Sequence, residues 1–294
     1  MDSNFRFNWD REIYLGEKRM KENFNEVDIL GIGTFKLNAV PSPRDDRDYL
    51  IEALQEKLPE KIPSVFDLRD GLLRVRNQGT QGTCGAQSAA CMKEWQEYKD
   101  LGRKIRLSPQ FVYNNRFNRD SEGMYGRDVM RILSDIGIVR EVVYPYFSKK
   151  KITAEMLKEA SNFKIAGYAR VRSIDDLKKA LIKNGPCYIA VPVFNYGERM
   201  WKKENPKQVL QGGHAMTVCA FNKKGFVIRN SWGTNWGQNG YCIFPYEDWG
   251  CQWEVWTTLD ADSVDIFKKE KEVKEKKKTF FEKVWSFIKK IFGG

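Results

Sequence analysis

The chain of 294 residues is 41% hydrophobic and 13% aromatic, enough for a sizeable core in one or two domains, which excludes a disordered chain. Its net charge of +11 does not point to nucleic acid, because residues 268–294 alone hold ten Lys against four Glu and the remainder is only mildly basic. The polar start Met1-Asp2-Ser3-Asn4 lacks the apolar run of a secretory signal, and no stretch is apolar enough to cross a bilayer as a helix.

Residues 1–60 read as a polar N-terminal extension. Gly31 and Gly33 belong to no phosphate-binding loop, and Pro41-Ser42-Pro43 has the punctuation of a linker. A Gly-rich loop, Gln78-Gly79-Thr80-Gln81-Gly82-Thr83, then runs into Cys84. From Ala86 to Leu101 there is no Gly or Pro, and Ser88, Cys91, Trp95 and Tyr98 recur at three- and four-residue steps. That spacing predicts an amphipathic helix, ended by Gly102. Cys84 thus falls where a loop turns into a helix. Unpaired N–H groups and the positive end of the helix dipole favour an anion there, which for cysteine is the nucleophilic thiolate.

Ser108 and Pro109 predict the cap and first residue of a second helix. A third is expected over Gly126–Ile136, with Val129, Ile132, Leu133 and Ile136 on one face and Gly137 as its stop. Glu141–Tyr146 is expected to run extended. After residue 163 the pattern changes. Ser173 with Asp176 predicts a capped short helix that stops at Gly185-Pro186, and four runs suit strands: Cys187–Phe194, His214–Phe221, Phe226–Asn230 and Gly240–Pro245. A helical half, about 61–163, followed by a β-rich half, about 164–260, predicts an α+β fold with its site in the cleft between them. Residues 261–294 read as a basic linker and an amphipathic helix. Its stretch 276–292 suits a membrane surface with anionic lipids, and the competing reading docks it on this protein or on a partner.

A thiol nucleophile needs a base, and His214 is the only histidine, 130 residues after Cys84. Asn230, in Asn230-Ser231-Trp232-Gly233, follows Cys84 by 146 residues and can orient the imidazole. With Gln78, Cys84, His214 and Asn-Ser-Trp-Gly at these separations, residues 61–257 resemble the papain-like cysteine peptidases (peptidase family C1) of the microbial and viral, non-secreted type.

The resemblance implies a two-lobed papain-like fold and peptide-bond hydrolysis without a metal or other cofactor, on a protein or peptide substrate. It assigns Cys84 as nucleophile, His214 as proton shuttle, Asn230 as its orienter and the Gln78 amide as oxyanion donor. Trp232 and Trp236 match indoles that shield the His–Asn contact. Gly123 and Met124 fall where backbone groups pair with substrate. Gln81 and Ser121 stand where secreted relatives carry disulfide cysteines. Gly85 replaces the aromatic that usually follows the nucleophile, which implies a looser wall beside the thiol, and Gly213 replaces a carboxylate before His214.

The six cysteines, Cys84, Cys91, Cys187, Cys219, Cys242 and Cys251, form no Cys-x-x-Cys pair. They read as reduced thiols of an intracellular, cytoplasmic protein. For residues 1–60 two readings compete: an inhibitory prosegment over the cleft, or a permanent extension packed on the fold. The short length and weak prosegment pattern favour the second. Two functional alternatives share the site: a catalytically silent papain-like binding protein anchored by its tail, and acyl transfer or deamidation on the same triad.

Overall fold

The structure is a computed structural model that describes residues 26–51, 59–119 and 121–261. The amphipathic helix expected at 276–292 and the start of the extension lie outside the described residues.

The extension carries secondary structure that its composition hides. β1 (Glu26–Ile29) and β2 (Gly33–Lys36) form an antiparallel hairpin, and β3 (Ala39–Val40) follows. Val27, Phe35, Leu37 and Ile51 are buried in the same core cluster as the main sheet. Four well-spaced apolar side chains among polar neighbours are enough to dock such a segment, yet too few to show a period. After β4 (Phe66–Asp67) the chain reaches α1 (Cys84–Leu101).

The amphipathic reading of α1 needs correction. The helix is sequestered almost all round: Lys93, Glu94, Gln96 and Glu97 are buried, while Trp95 and Tyr98 keep some contact with solvent. Burying charge is costly unless it is paired. Lys93 Nζ meets Glu97 at 2.8 Å and Asp260 at 2.7 Å, and Glu94 pairs with Arg76 while accepting the Leu107 N–H at 2.8 Å. Partners supplied from elsewhere in the chain make the polar positions core positions. Gly102, in the left-handed region, closes the helix with its N–H on Tyr98 O.

α2 (Pro109–Asn114) starts as expected, with Ser108 Oγ accepting the Phe111 N–H at 3.1 Å. β5 (Met124–Tyr125) runs parallel to β3, and α3 (Gly126–Asp135) buries Val129, Ile132 and Leu133. Residues 141–148 form turns instead of an extended run: the N–H groups of Val143 and Tyr144 both return to Arg140 O, and that of Ser148 to Pro145 O. α4 (Ala154–Ala160) and β6 (Ile165–Arg170) carry no strong periodic signal and are additions to the expected set. α5 (Ile174–Asn184) is capped by Ser173, whose Oγ accepts the Asp176 N–H at 3.1 Å.

The remaining strands are β7 (Cys187–Val193), β8 (Gly212–Phe221), β9 (Gly225–Arg229), β10 (Tyr241–Pro245) and β11 (Glu254–Asp260). With β6 they form an antiparallel sheet in the order β10-β9-β8-β7-β11-β6, and β4 adds to β8. β7 and β8 are buried along their whole length, so His214, opposite Val191, stands in the centre of the sheet. Ser88 Oγ donates to Met216 O at 3.0 Å and accepts from Thr217 Oγ1 at 2.9 Å. These two bonds tie the first turns of α1 to β8, four residues past Cys84 and two and three past His214.

Candidate active site

Three distant stretches meet at the N-terminus of α1. Cys84 is its first residue, His214 lies on β8, and Asn230 immediately follows β9. All three are buried. His214 Nε2 is 2.7 Å from Asn230 Oδ1. The same oxygen accepts the Ser231 N–H at 2.7 Å. An atom that accepts a backbone N–H is the amide oxygen, so Nε2 of the ring is its donor. Nδ1 is left as the bare nitrogen, buried and without a hydrogen-bond partner. The backbone N–H of Ala215, the residue after His214, favours the ionised form of the Cys84 thiol, and Nδ1 makes no bond to that thiol.

Trp232 covers the imidazole at 4.5 Å between ring centroids, and Trp236 stands edge-on to Trp232 at 5.8 Å. Both indoles are buried. Gln78 is buried too. Its Oε1 accepts from Ser231 Oγ at 2.7 Å, which turns Nε2 towards the site. Tyr146 holds the loop behind it, donating to Gln78 O at 2.9 Å and lying 2.6 Å from Thr83 Oγ1.

The extension crosses this site. Gln78 Nε2 donates to Lys36 O at 3.1 Å and to Gln81 O at 3.0 Å, so both amide hydrogens are used. Asn38 is buried, packed against Gly82 two residues before Cys84, and the Met124 N–H donates to Asn38 O at 2.9 Å. Asn38 Nδ2 and Lys36 Nζ bond Glu122, at its carbonyl (3.2 Å) and its carboxylate (2.8 Å). Phe35 stacks on Trp232 at 5.2 Å. A Cβ on Gly82 would fall 1.4 Å from Asn38 Nδ2, and one on Gly213 would fall 2.2 Å from Ala39 O and 2.1 Å from the Trp253 ring. Those glycines let the strap, residues 36–40, lie flat on the loop and on β8. Of the two positions expected to pair with substrate, Met124 pairs with the strap. Gly123 is tied within its own loop, its N–H on Ser121 Oγ (3.1 Å) and its carbonyl on Asn118 Nδ2 (2.5 Å).

Residues 62–255 match the sequence profile described as papain family cysteine protease. The chain belongs to this family. An uncharacterized peptidase C1-like protein of Acanthamoeba polyphaga mimivirus is 30% identical over 251 residues, covering 71% of this chain and 80% of that one. A cathepsin L-like proteinase of Phaedon cochleariae is 29% identical and aligns with 61% of this chain and 59% of its own length. Among solved structures, xylellain, a cysteine protease from Xylella fastidiosa, superposes with a TM-score of 0.66 at 25% identity, over 76% of this chain and 96% of that one. Membership in the papain family makes the chain a cysteine peptidase, a hydrolase with protein or peptide substrates.

Burial dominates the electrostatics of this site. Burial pushes the Cys84 thiol above its ordinary value, against the pull of four nearby backbone N–H groups. Burial likewise lowers His214 to about 4, although the Asn230 bond favours its charged form. Burial therefore works against the thiolate expected at the helix start, opposing the helix end and the nearby N–H groups. The expected loose wall at Gly85 is also overturned: a Cβ there would meet Val129 Cγ2 at 3.1 Å, with Tyr188 and Met124 close behind. All six cysteines are free, and among the described residues no group of acidic, His and Cys side chains has the makings of a metal site. Sequence reasoning missed Lys36, Asn38, Tyr146 and Ser231. Only the Asn-Ser-Trp-Gly motif carried a signal for any of them.

Proposed function

We propose that this chain is a latent cysteine endopeptidase whose extension holds it shut. Cys84 Sγ attacks the scissile carbonyl carbon and passes its proton to His214 Nδ1, and the imidazolium then protonates the leaving amine. Water, activated by the same nitrogen, hydrolyses the thioester and restores the thiol. Asn230 Oδ1 keeps the ring in the tautomer that leaves Nδ1 bare. The Cys84 N–H and Gln78 Nε2 stabilise the oxyanion, and one such donor is worth about 3 kcal/mol in the transition state.

The observation that carries this reading is the His214–Asn230 bond at 2.7 Å with Nδ1 left unpartnered beside the start of α1. Support for latency comes from the strap: Lys36 O takes an amide hydrogen of Gln78, and Asn38 is buried against Gly82, two residues before Cys84. Peptide hydrolysis by the full chain and by a form cut between residues 51 and 59 tests both parts, with Cys84→Ala as the blank. New peptide N-termini that depend on Cys84 and increase after cutting are the expected result. Their absence in both forms would favour the silent binding body, and deamidated or crosslinked products would favour acyl transfer.

A further inference from the structure

On the far side of the Gln78 loop lies a cavity of about 510 Å³ that the peptidase chemistry does not use. Arg74, Arg76, Arg106 and Glu141 line it, with Trp232 and, from the hairpin turn of the extension, Ile32. Four guanidiniums gather here, since Arg229 sits just beneath, in the small pocket that shares Arg76. Two carboxylates face them. Glu94 gives Oε1 to Arg76, and its Oε2 is buried without a hydrogen-bond partner. Glu141 Oε2 serves Arg76 at 2.7 Å and Arg106 at 3.6 Å. Among the described residues, Arg229 bonds Arg74 O (2.7 Å) and the Cys91 sulfur (3.3 Å) and no carboxylate, and Arg74 makes no ion pair. Arg76 Nε and Arg106 Nη1 are buried donors without partners. Burial, and after it the neighbouring Arg76 and Arg229, lower Arg106 against the opposing pull of Glu94 and Glu141.

Unpaired buried guanidinium donors are expensive, and planar forks of this kind match phosphoryl oxygens. We propose that this cavity binds a small, multiply charged phosphoryl compound, bridging Arg74 and Arg106 above Arg76. The volume exceeds what one phosphate fills and suits a chain of two or three phosphoryl groups. The wall is continuous with the catalytic loop: Gly233 N–H donates to Arg76 O at 2.9 Å, and Gln78 N–H donates to Ser231 O at 2.8 Å. A ligand here therefore braces the loop that carries Gln78 and the turn that carries Ile32.

The inference does not rest on the peptidase reading and is tested in full-length Cys84→Ala protein. Inorganic tripolyphosphate is titrated by calorimetry and by thermal melting, beside orthophosphate and beside NaCl at equal ionic strength. Tripolyphosphate is expected to raise the melting temperature and orthophosphate to do so far less. Binding should weaken about tenfold or more in Arg74→Gln/Arg106→Gln, in line with two lost charge-assisted contacts. The Lys-rich segment 268–294 also attracts polyanions, so the assignment hangs on this double variant. Arg74 is exposed and Arg106 half-buried, and the ligand-free melting point of the variant reports its folding. Equal affinity in parent and variant, or a shift reproduced by NaCl or equally by orthophosphate, overturns the proposal.

Discussion

The carbonyl of Lys36 accepts a hydrogen bond at 3.1 Å from the side-chain amide of Gln78. A residue of the extension thereby occupies the donor that the hydrolytic reading reserves for the oxyanion. Freeing Gln78 means lifting the strap, and the strap is fastened downstream. Arg127 clasps Asp48 with two bonds of 2.6 and 2.7 Å and also binds Pro43 O at 2.6 Å.

Asp48→Ala should loosen that clasp and leave Arg127 half-buried without its anion. A shift of 1–2 kcal/mol in the opening equilibrium corresponds to roughly 5- to 30-fold faster labelling of Cys84 by iodoacetamide. Mass spectrometry of the labelled thiol against time is the check. An unchanged rate would show that the clasp does not control access.

Gly82→Ala should act at the other end of the strap. Its Cβ would overlap Asn38 Nδ2, at 1.4 Å, and the side chain has no free space to leave by, since Asn38 is buried. Overpacking of this kind costs about 1–3 kcal/mol. The strap is expected to detach while the β-sheet stays intact, seen as faster Cys84 labelling with a far-UV spectrum like that of the parent.

The closed state should weaken in acid. His214 is lowered to about 4 from an ordinary 6.5, so the unfolded or opened protein binds the proton more readily in that window. Stability from the neutral, buried ring is fully present above about 6.5 and is lost as pH falls through about 4. The change approaches 3 kcal/mol, about 1.4 kcal/mol for each pH unit of the window. Urea midpoints from pH 7 to 4 should fall accordingly, and His214→Gln should flatten that part of the curve. Cys84, raised by burial, contributes in the opposite direction: its share is present below the ordinary thiol value and is lost in alkali.

Asn230→Ala leaves His214 Nε2 and the Ser231 N–H without an acceptor. The expected loss is about 1–3 kcal/mol of stability. Hydrolysis by strap-cut protein should drop in kcat more than in KM, because the ring loses its tautomer and direction.

Glu94→Ala tests the buried charge of α1. Arg76 would lose its most buried partner and the Leu107 N–H its acceptor. Breaking one side of such a pair costs about 3–5 kcal/mol. A chemical denaturation midpoint close to that of the parent would mean that water or Glu141 takes over.

Local signals were legible because their causes are local. Ser108, Ser173, Gly102 and Gly185 mark helix ends through the reach of one side chain or one backbone angle, and the structure has its ends there. The core strands β7 to β10 were legible as apolar runs. The α1 face was misread because Lys93, Glu94 and Glu97 take their partners from Arg76, Asp260 and one another, and pairing across that distance leaves no period. The turns at 141–148 depend on Arg140, which is itself bound to Glu159 at 2.9 Å.

Residue types and their order were sufficient to specify an α+β chain of the papain family and to nominate Cys84, His214 and Asn230, since there is one histidine and the Gly-rich loop and the Asn-Ser-Trp-Gly motif stand at the family's separations from it. What that order left open was the state of the site. Whether the thiol is ionised, whether Gln78 is free and whether Lys36 to Val40 lies over the sulfur depend on desolvation and on contacts between distant segments. Those quantities exist only once the chain has folded, because burial belongs to a place in three dimensions and not to a residue.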